Sequence, residues 1–376
     1  MIKVDCWLIV GTRRWAQLYA AELCKVVSEQ SIIHMQGDVD DTELRQWLEV
    51  SGLEKRIQVV ETAQTCPKLM TGVALIVNSA YLHSFSIDEA LSAGYNVVTE
   101  KPITFSQEET IALLNRAKTL GRVLFCTNTY LFTSYLDKLR VNWLNGRKIT
   151  AIHISWLDPV EEQRYGKIKS YDSSVPVIFD VLPHVANIIL ATIGECSPVP
   201  VGISVNRGGS EVLVRYQHEK IDIHVHIARN AVQRKRFVKF SGNISEVVID
   251  FTSEPGKFLI DGKSAVSADP YWHENQRPIA AMLLSLIEFF ETGEQDERLS
   301  PYAGLFGNAL IDGVVCGYVD QQIAFLSKIA GSDIKNPDDH AIYAVKECRS
   351  ITERVLPYIV STSPLKRLAT AACELG

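Results

Sequence analysis

The sequence reads as an α/β protein: a doubly wound parallel sheet domain, then an α+β domain with an open, mainly antiparallel sheet. Three observations carry this reading. Over the first 130 residues short apolar runs alternate with longer amphipathic stretches, and strand, helix, strand in that rhythm builds a parallel sheet covered on both faces. Beyond about residue 130 the rhythm changes to strands in direct succession, the pattern of an antiparallel meander. A chain of 376 residues, at about 150 per domain, makes two domains. The expected division is 1–130 and 131–376.

The elements follow in order. Strands are expected at Val4 to Val10, Ile32 to Met35, Gln58 to Val60, Ala74 to Val77, Asn96 to Thr99 and Val123 to Cys126. Helices are expected between them, at Ala16 to Ser28, Asp41 to Val50, Ser86 to Ala93 and Ser106 to Leu120. Ser106 with Glu109 reads as a capping box, and Gly94 and Gly121 read as helix stops. In the second half come a helix from Thr133 to Leu144, a strand from Thr150 to Trp156 and a helix from about Val181 to Ile193. Five strands follow between Val201 and Phe251, and helices at Pro278 to Thr292, Tyr302 to Ile329 and Ala341 to Leu356 close the chain.

Charge and composition exclude several classes. The 38 basic and 44 acidic residues give a net charge of -6 with no long block of either sign, which argues against nucleic acid or an anionic membrane as the main partner. The apolar run Val4 to Val10 contains Asp5 and stops at Gly11, so neither a signal peptide nor a spanning helix is expected there, and a cytoplasmic location is the default. Eight cysteines are scattered with no C-x-x-C and no Cys/His cluster at zinc spacing; no metal site is expected, and most of the thiols read as buried small hydrophobes.

The first βα turn runs Val10-Gly11-Thr12-Arg13-Arg14-Trp15-Ala16. A turn that receives a dinucleotide needs small residues, so that backbone and helix N-terminus can approach the pyrophosphate. Gly11 and Ala16 fill the first and third small positions of G-x-G-x-x-G/A, whereas Arg13 takes the second. Gly11, Thr12, Arg13, Arg14 and Trp15 are the candidate contacts, with the two arginines able to hold phosphate by side chain or simply to be solvated. At the end of the second strand the residues that separate NAD from NADP are Gln36 and Gly37, with Asp38 slightly late. Without a carboxylate at the first two positions NADP is favoured, and NAD returns if the register shifts to place Asp38 there.

The segment Ala93-Gly94-Tyr95-Asn96-Val97-Val98-Thr99-Glu100-Lys101-Pro102 puts Glu-Lys-Pro at the carboxyl end of a strand, where open α/β sheets bind ligands. A lysine there can donate a proton to a carbonyl or imine. This run resembles the A-G-x-x-V-x-x-E-K-P element of the glucose-fructose oxidoreductase, inositol dehydrogenase and rhizopine-catabolism (Gfo/Idh/MocA) family. Asn78-Ser79-Ala80-Tyr81-Leu82-His83 is similar to that family's T-P-x-x-x-H turn, and Asp180-Val181-Leu182-Pro183-His184 to its D-x-x-x-H element, without the glycines that often precede it. The resemblance implies a Rossmann-type first domain, a nicotinamide cofactor touching Asn78, Ser79, His83, Glu100, Lys101, Pro102 and Asn128, and substrate between Lys101 and the Asp180/His184 helix. It also implies that the second sheet serves a homodimer or homotetramer. The spacing of Asp180 and His184 independently puts both on one helical face, where His184 can act as acid or base and Asp180 can orient the substrate or the ring. His224 and His226 share a strand face that reads as polar surface rather than a metal pair, and Lys169 and Tyr171 read as loop residues within reach of substrate.

Together these imply an NAD(P)-dependent oxidoreductase that moves hydride between nicotinamide and a small polar carbonyl or alcohol such as a sugar or cyclitol, with Lys101, Asp180 and His184 as catalytic residues. Two other readings are carried forward. Val10-Gly11-Thr12-Arg13, Leu18-Tyr19, Gln36-Gly37 and Asn128-Thr129 resemble the thiazolinyl imine reductases, in which the second glycine is also replaced, although Lys101 stands where those tend to have histidine. The eroded glycine turn also fits a nucleotide-binding regulator without turnover.

Overall fold

A computed structural model describes residues 4–63, 71–164, 167–169, 171–243, 246–270, 277–330, 339–360 and 362–374. Cys66 and the Lys169 side chain lie outside the described residues. The chain divides into two compact units, Met1–Phe132 with Gln276–Asn308, and Thr133–Asn275 with Ala309–Gly376.

The first unit holds β1 (Val4–Val10), α1 (Arg14–Val26), β2 (Ile32–Gln36), α2 (Thr42–Ser51), β3 (Ile57–Val60), β4 (Thr71–Ile76), α3 (His83–Ser92), β5 (Asn96–Thr99), α4 (Gln107–Thr119) and β6 (Leu124–Cys126). Its six strands are all parallel, in the order β3-β2-β1-β4-β5-β6. The doubly wound expectation is met. Alternation along β1 shows why this sequence makes a central strand: Trp7 and Ile9 join one core layer with residues of α1 and α2, while Cys6, Leu8 and Val10 join the other with residues of α3 and α4. Both faces are buried, so the strand reads as a continuous apolar run. Gly52, at φ 68°, ends α2 in the left-handed region where a side chain would be strained.

The second unit begins with α5 (Ser134–Leu139), β7 (Ile149–Pro159), the hairpin β8 (Glu162–Arg164) and β9 (Lys167–Lys169), and α6 (Val177–Ile193). It continues through β10 (Val199–Asn206), β11 (Glu211–His218), β12 (Ile221–Ala231), β13 (Lys235–Gly242), β14 (Val247–Asp250), β15 (Lys257–Ile260) and β16 (Lys263–Ser267). Eight strands form one sheet in the order β10-β11-β12-β7-β13-β14-β15-β16. Every neighbouring pair is antiparallel except β12 with β7. β7, first in the chain, is thus central in the sheet.

Four helices follow: α7 (Pro278–Thr292), α8 (Tyr302–Ala330), α9 (Asp339–Ser350) and α10 (Leu365–Glu374). The expected division differs here, because α7 returns to the first unit, where Met282, Leu283, Leu286 and Phe290 complete the core layer of α1 and α2. Nothing local in α7 announces that return. α8 is long and apolar enough to cross a membrane, yet most of its apolar stretch is buried in the fold, Leu310, Ile311, Tyr318 and Val319 among it. It is a core helix. The terminal segment, which the sequence leaves without a place, is held by Leu365, Leu368 and Ala369, all fully buried.

Candidate functional site

The carboxyl ends of the first sheet converge where the strand order reverses, between β1 and β4. Gly11, at φ 128°, lies so close to the end of β4 that a Cβ would stand 3.2 Å from Asn78 N and Val77 O. Glycine is required there by backbone approach and by conformation. Gly37 meets a similar limit, since its Cβ would fall 2.1 Å from Thr12 Cγ2. The turns after β1 and β2 therefore pack directly on each other. Arg13 precedes α1 in an extended conformation with no side-chain cap, and the first turn carries no acidic residue. That leaves an anion-compatible helix N-terminus.

Buried acceptors support the fit to a dinucleotide. Asn78 donates to Ser86 Oγ at 2.8 Å and Asn128 to Ser300 O at 3.4 Å. Asn78 Oδ1, Asn128 Oδ1 and Gln36 Oε1 have no partner among the described residues. They lie just after β4, just after β6 and at the end of β2, and ribose hydroxyls and a carboxamide carry the donors they lack.

Lys101 is set by contacts that the sequence does not display. The Tyr19 hydroxyl of α1 donates to Glu100 Oε1 at 2.6 Å, and Glu100 Oε2 accepts from Lys101 N at 3.1 Å. Glu100 N donates to Ile76 O at 2.8 Å, tying the turn to β4. The Lys101–Pro102 peptide is cis. His83, 1% exposed, places Nδ1 2.7 Å from Pro102 O and Nε2 3.3 Å from Asn78 O. Burial, with a smaller contribution from the Lys101 cation, lowers its pKa to about 4. A neutral ring has one N–H, and the shorter contact assigns it to Nδ1. Glu100 and His83, expected as cofactor contacts, are thus occupied in holding the lysine turn.

Arg13 is exposed, with Nη1 2.6 Å from Glu43 Oε2 and 4.0 Å from Asp41 Oδ2, beyond the end of β2. The Arg14 guanidinium lies 5.7 Å from the Trp15 ring. Asp38 accepts from Asp40 N at 2.8 Å and so caps its own turn.

In the second unit Asp180 and His184 share a face of α6. Asp180 Oδ2 accepts from Arg229 Nη2 at 3.2 Å. The His184 ring stacks on Trp156 of β7, centroids 4.9 Å apart and planes within 10°. Trp156 also receives the Arg236 guanidinium at 3.9 Å, which Asp158 holds with bonds of 2.6 to 3.0 Å. Asp158, Tyr171, Asp180, Val181 and Arg229 line a small cleft beside this face. Trp156, Asp158, Arg229 and Arg236 were not singled out from the sequence. The available signal was charge inside apolar strands, Arg229 after Ile227-Ala228 and Arg236 beside Phe237, both at most 5% exposed. His224 stacks on His153 at 4.7 Å, and His226 bonds Glu211 at 2.8 Å, as expected of a polar sheet face. No group of three metal-ligating side chains occurs among the described residues.

A parallel sheet in this order, a glycine turn leading into an uncapped helix and a lysine at the end of the fifth strand define a dinucleotide-binding oxidoreductase. Residues 7–128 match the sequence model of the oxidoreductase family with an NAD-binding Rossmann fold, the family that the motifs of this segment resemble. The chain is an NAD(P)-dependent oxidoreductase. Among solved structures it is similar to UDP-N-acetylglucosamine 3-dehydrogenase from Acidithiobacillus ferrooxidans (16% identity, TM-score 0.64, covering 84% of this chain and 98% of that one). It is also similar to a 3-ketoreductase from Actinomadura kijaniata in complex with TDP-benzene and NADP (13%, 0.66, 82% and 96%). A third is biliverdin reductase from Synechocystis with biliverdin and NADP+ (14%, 0.62, 84% and 98%). At these identities the likeness is one of fold. No curated protein matches the sequence.

Proposed function

We propose that the protein uses NADP to interconvert a small polar carbonyl compound and its alcohol, with a sugar or cyclitol as the leading substrate class. The observation that carries this is the anchored Lys101 turn, fixed by Tyr19 through Glu100 and by His83 through Pro102. When bound, the nicotinamide supplies or takes the hydride. Lys101 gives the proton to the substrate oxygen in reduction, and a cation held at a strand end is suited to that. His184, whose ring is oriented by the Trp156 stack, exchanges the proton with solvent, and Asp180, steadied by Arg229, orients the substrate hydroxyls. Preference for NADP is supported by Arg13 beyond the end of β2 and by Asp38 being engaged in its own turn. We further propose a homodimer or homotetramer in the cytoplasm, where its free thiols stay reduced.

The test is NADPH oxidation across a panel of keto-sugars, sugar nucleotides, cyclic ketones and cyclic imines. Turnover of the polar carbonyls that falls about a hundredfold in Lys101→Ala supports the assignment, and unchanged turnover contradicts it. Arg13 in the place of the second glycine favours imine reduction as the second reading, and it would be preferred if only the imines react. Tight NADPH binding with no turnover of any compound would favour the regulator.

A further inference from the structure

The proposed chemistry leaves one fully buried carboxyl unused, Glu347 of α9. Its Oε1 accepts from the Tyr318 hydroxyl at 2.5 Å and from Gln322 Nε2 at 3.1 Å, both on α8. Its Oε2 accepts from the Tyr343 hydroxyl at 3.1 Å. Arg229 in turn donates to the Tyr343 oxygen, and its Nη2 donates to Asp180. The far side is rigid: Gln322 Nε2 donates to Gly208 O at 2.9 Å, and a Cβ on Gly209 would fall 1.7 Å from that nitrogen.

The charged and titratable groups facing this carboxyl are few. Tyr318 and Tyr343 are kept neutral by burial, Cys348 likewise, and Arg229 is the cation. Tyr171 lies beyond, its ring 5.4 Å from the Arg229 guanidinium and 5.5 Å from Lys346 Nζ. Arg229 therefore serves two carboxyls, one buried and one at the substrate face of α6.

We infer that Glu347 is a positioning residue whose charge, passed through Tyr343 and Arg229, sets how firmly Arg229 holds Asp180. With Glu347 protonated, Asp180 is the one carboxylate facing Arg229 among the described residues, while Arg229 Nη1 keeps its bond to Asp172 O at 3.3 Å. With Glu347 ionised, the cation is shared and Asp180 is loosened. Burial pushes the Glu347 carboxyl up to about 7, so the change falls near neutral pH. This rests on the role proposed for Asp180 and adds a pH response to it.

Infrared spectra of the purified full chain test the coupling without any substrate. Between about pH 5 and about pH 9 the parent should lose a protonated-carboxyl band with a midpoint near neutrality, together with a shift in an ionised-carboxylate band. Glu347→Gln should remove both changes and Asp180→Asn only the second, while Tyr343→Phe should keep the first and weaken the second. A Glu347 titration that leaves the Asp180 band unmoved, or no Glu347 titration in this range, overturns the inference. On a compound that the protein turns over, KM should rise about tenfold across the transition in the parent and stay within about twofold in Glu347→Gln. A failure of the catalytic assignment is read separately, in Lys101→Ala.

Discussion

At the scale of single residues, the site depends on side chains that hold other side chains. His83 sits inside the first unit, is neutral, and donates to the carbonyl behind Lys101. Its pKa falls on folding from 6.5 to about 4, so the unfolded chain takes up the proton first. The stability it contributes is complete above about pH 6.5 and is lost as pH falls towards 4. Equilibrium denaturation should therefore show acid destabilisation in this window that is reduced in His83→Asn. Lys101, Asp180 and His184 stand out in the sequence as candidates because short motifs and an i, i+4 spacing carry them. Their partners do not, because Tyr19 lies 81 positions from Glu100 and Arg229 lies 49 from Asp180. Contacts over such separations exist only once the chain is folded.

At the scale of elements, periodicity was the readable signal. The β1 alternation predicts its own test: Ile9→Ala opens a void between β1 and the α1 layer and should cost about 2–5 kcal/mol in chemical denaturation. Gly37→Ala should be worse for nucleotide binding than its size suggests, because the added carbon meets Thr12 in the turn below. End signals were less faithful. Ser106 does not cap α4 with its side chain, and Glu109 instead accepts from Ser84 Oγ at 2.6 Å, while Thr104 bonds Ser106 N at 3.1 Å. A neighbouring helix offered a better donor than the local capping box. The hairpin β8–β9 and the strands β15 and β16 were not separately foreseen, being only three to five residues long, with charge dominating the first two.

At the scale of the whole molecule, the chain divides into two compact units, and Gln276–Asn308 belongs with the first rather than with the segment that follows residue 130. Amphipathic pattern shows that a helix has an apolar face but not which sheet it covers. Glu347 gives the second unit its own pH dependence. Its carboxyl rises on folding from 4.5 to about 7, so the folded state holds that proton more tightly and loses stability as pH climbs through this range. The full cost is on the order of 3 kcal/mol, and the melting temperature of Glu347→Gln should exceed that of the parent at pH 8 but not at pH 5.

The net charge of -6 leaves room for an anionic cofactor at the uncapped N-terminus of α1, where Arg13, paired with Glu43, can exchange that carboxylate for a 2'-phosphate. Fluorescence titration of the purified protein with NADPH and with NADH tests that claim most directly. NADPH should bind at least about tenfold more tightly than NADH, and Arg13→Ala should bring the two together, as loss of a charge-assisted contact to the 2'-phosphate requires. Binding of neither nucleotide, or NADH bound as tightly as NADPH in the parent, would contradict the account.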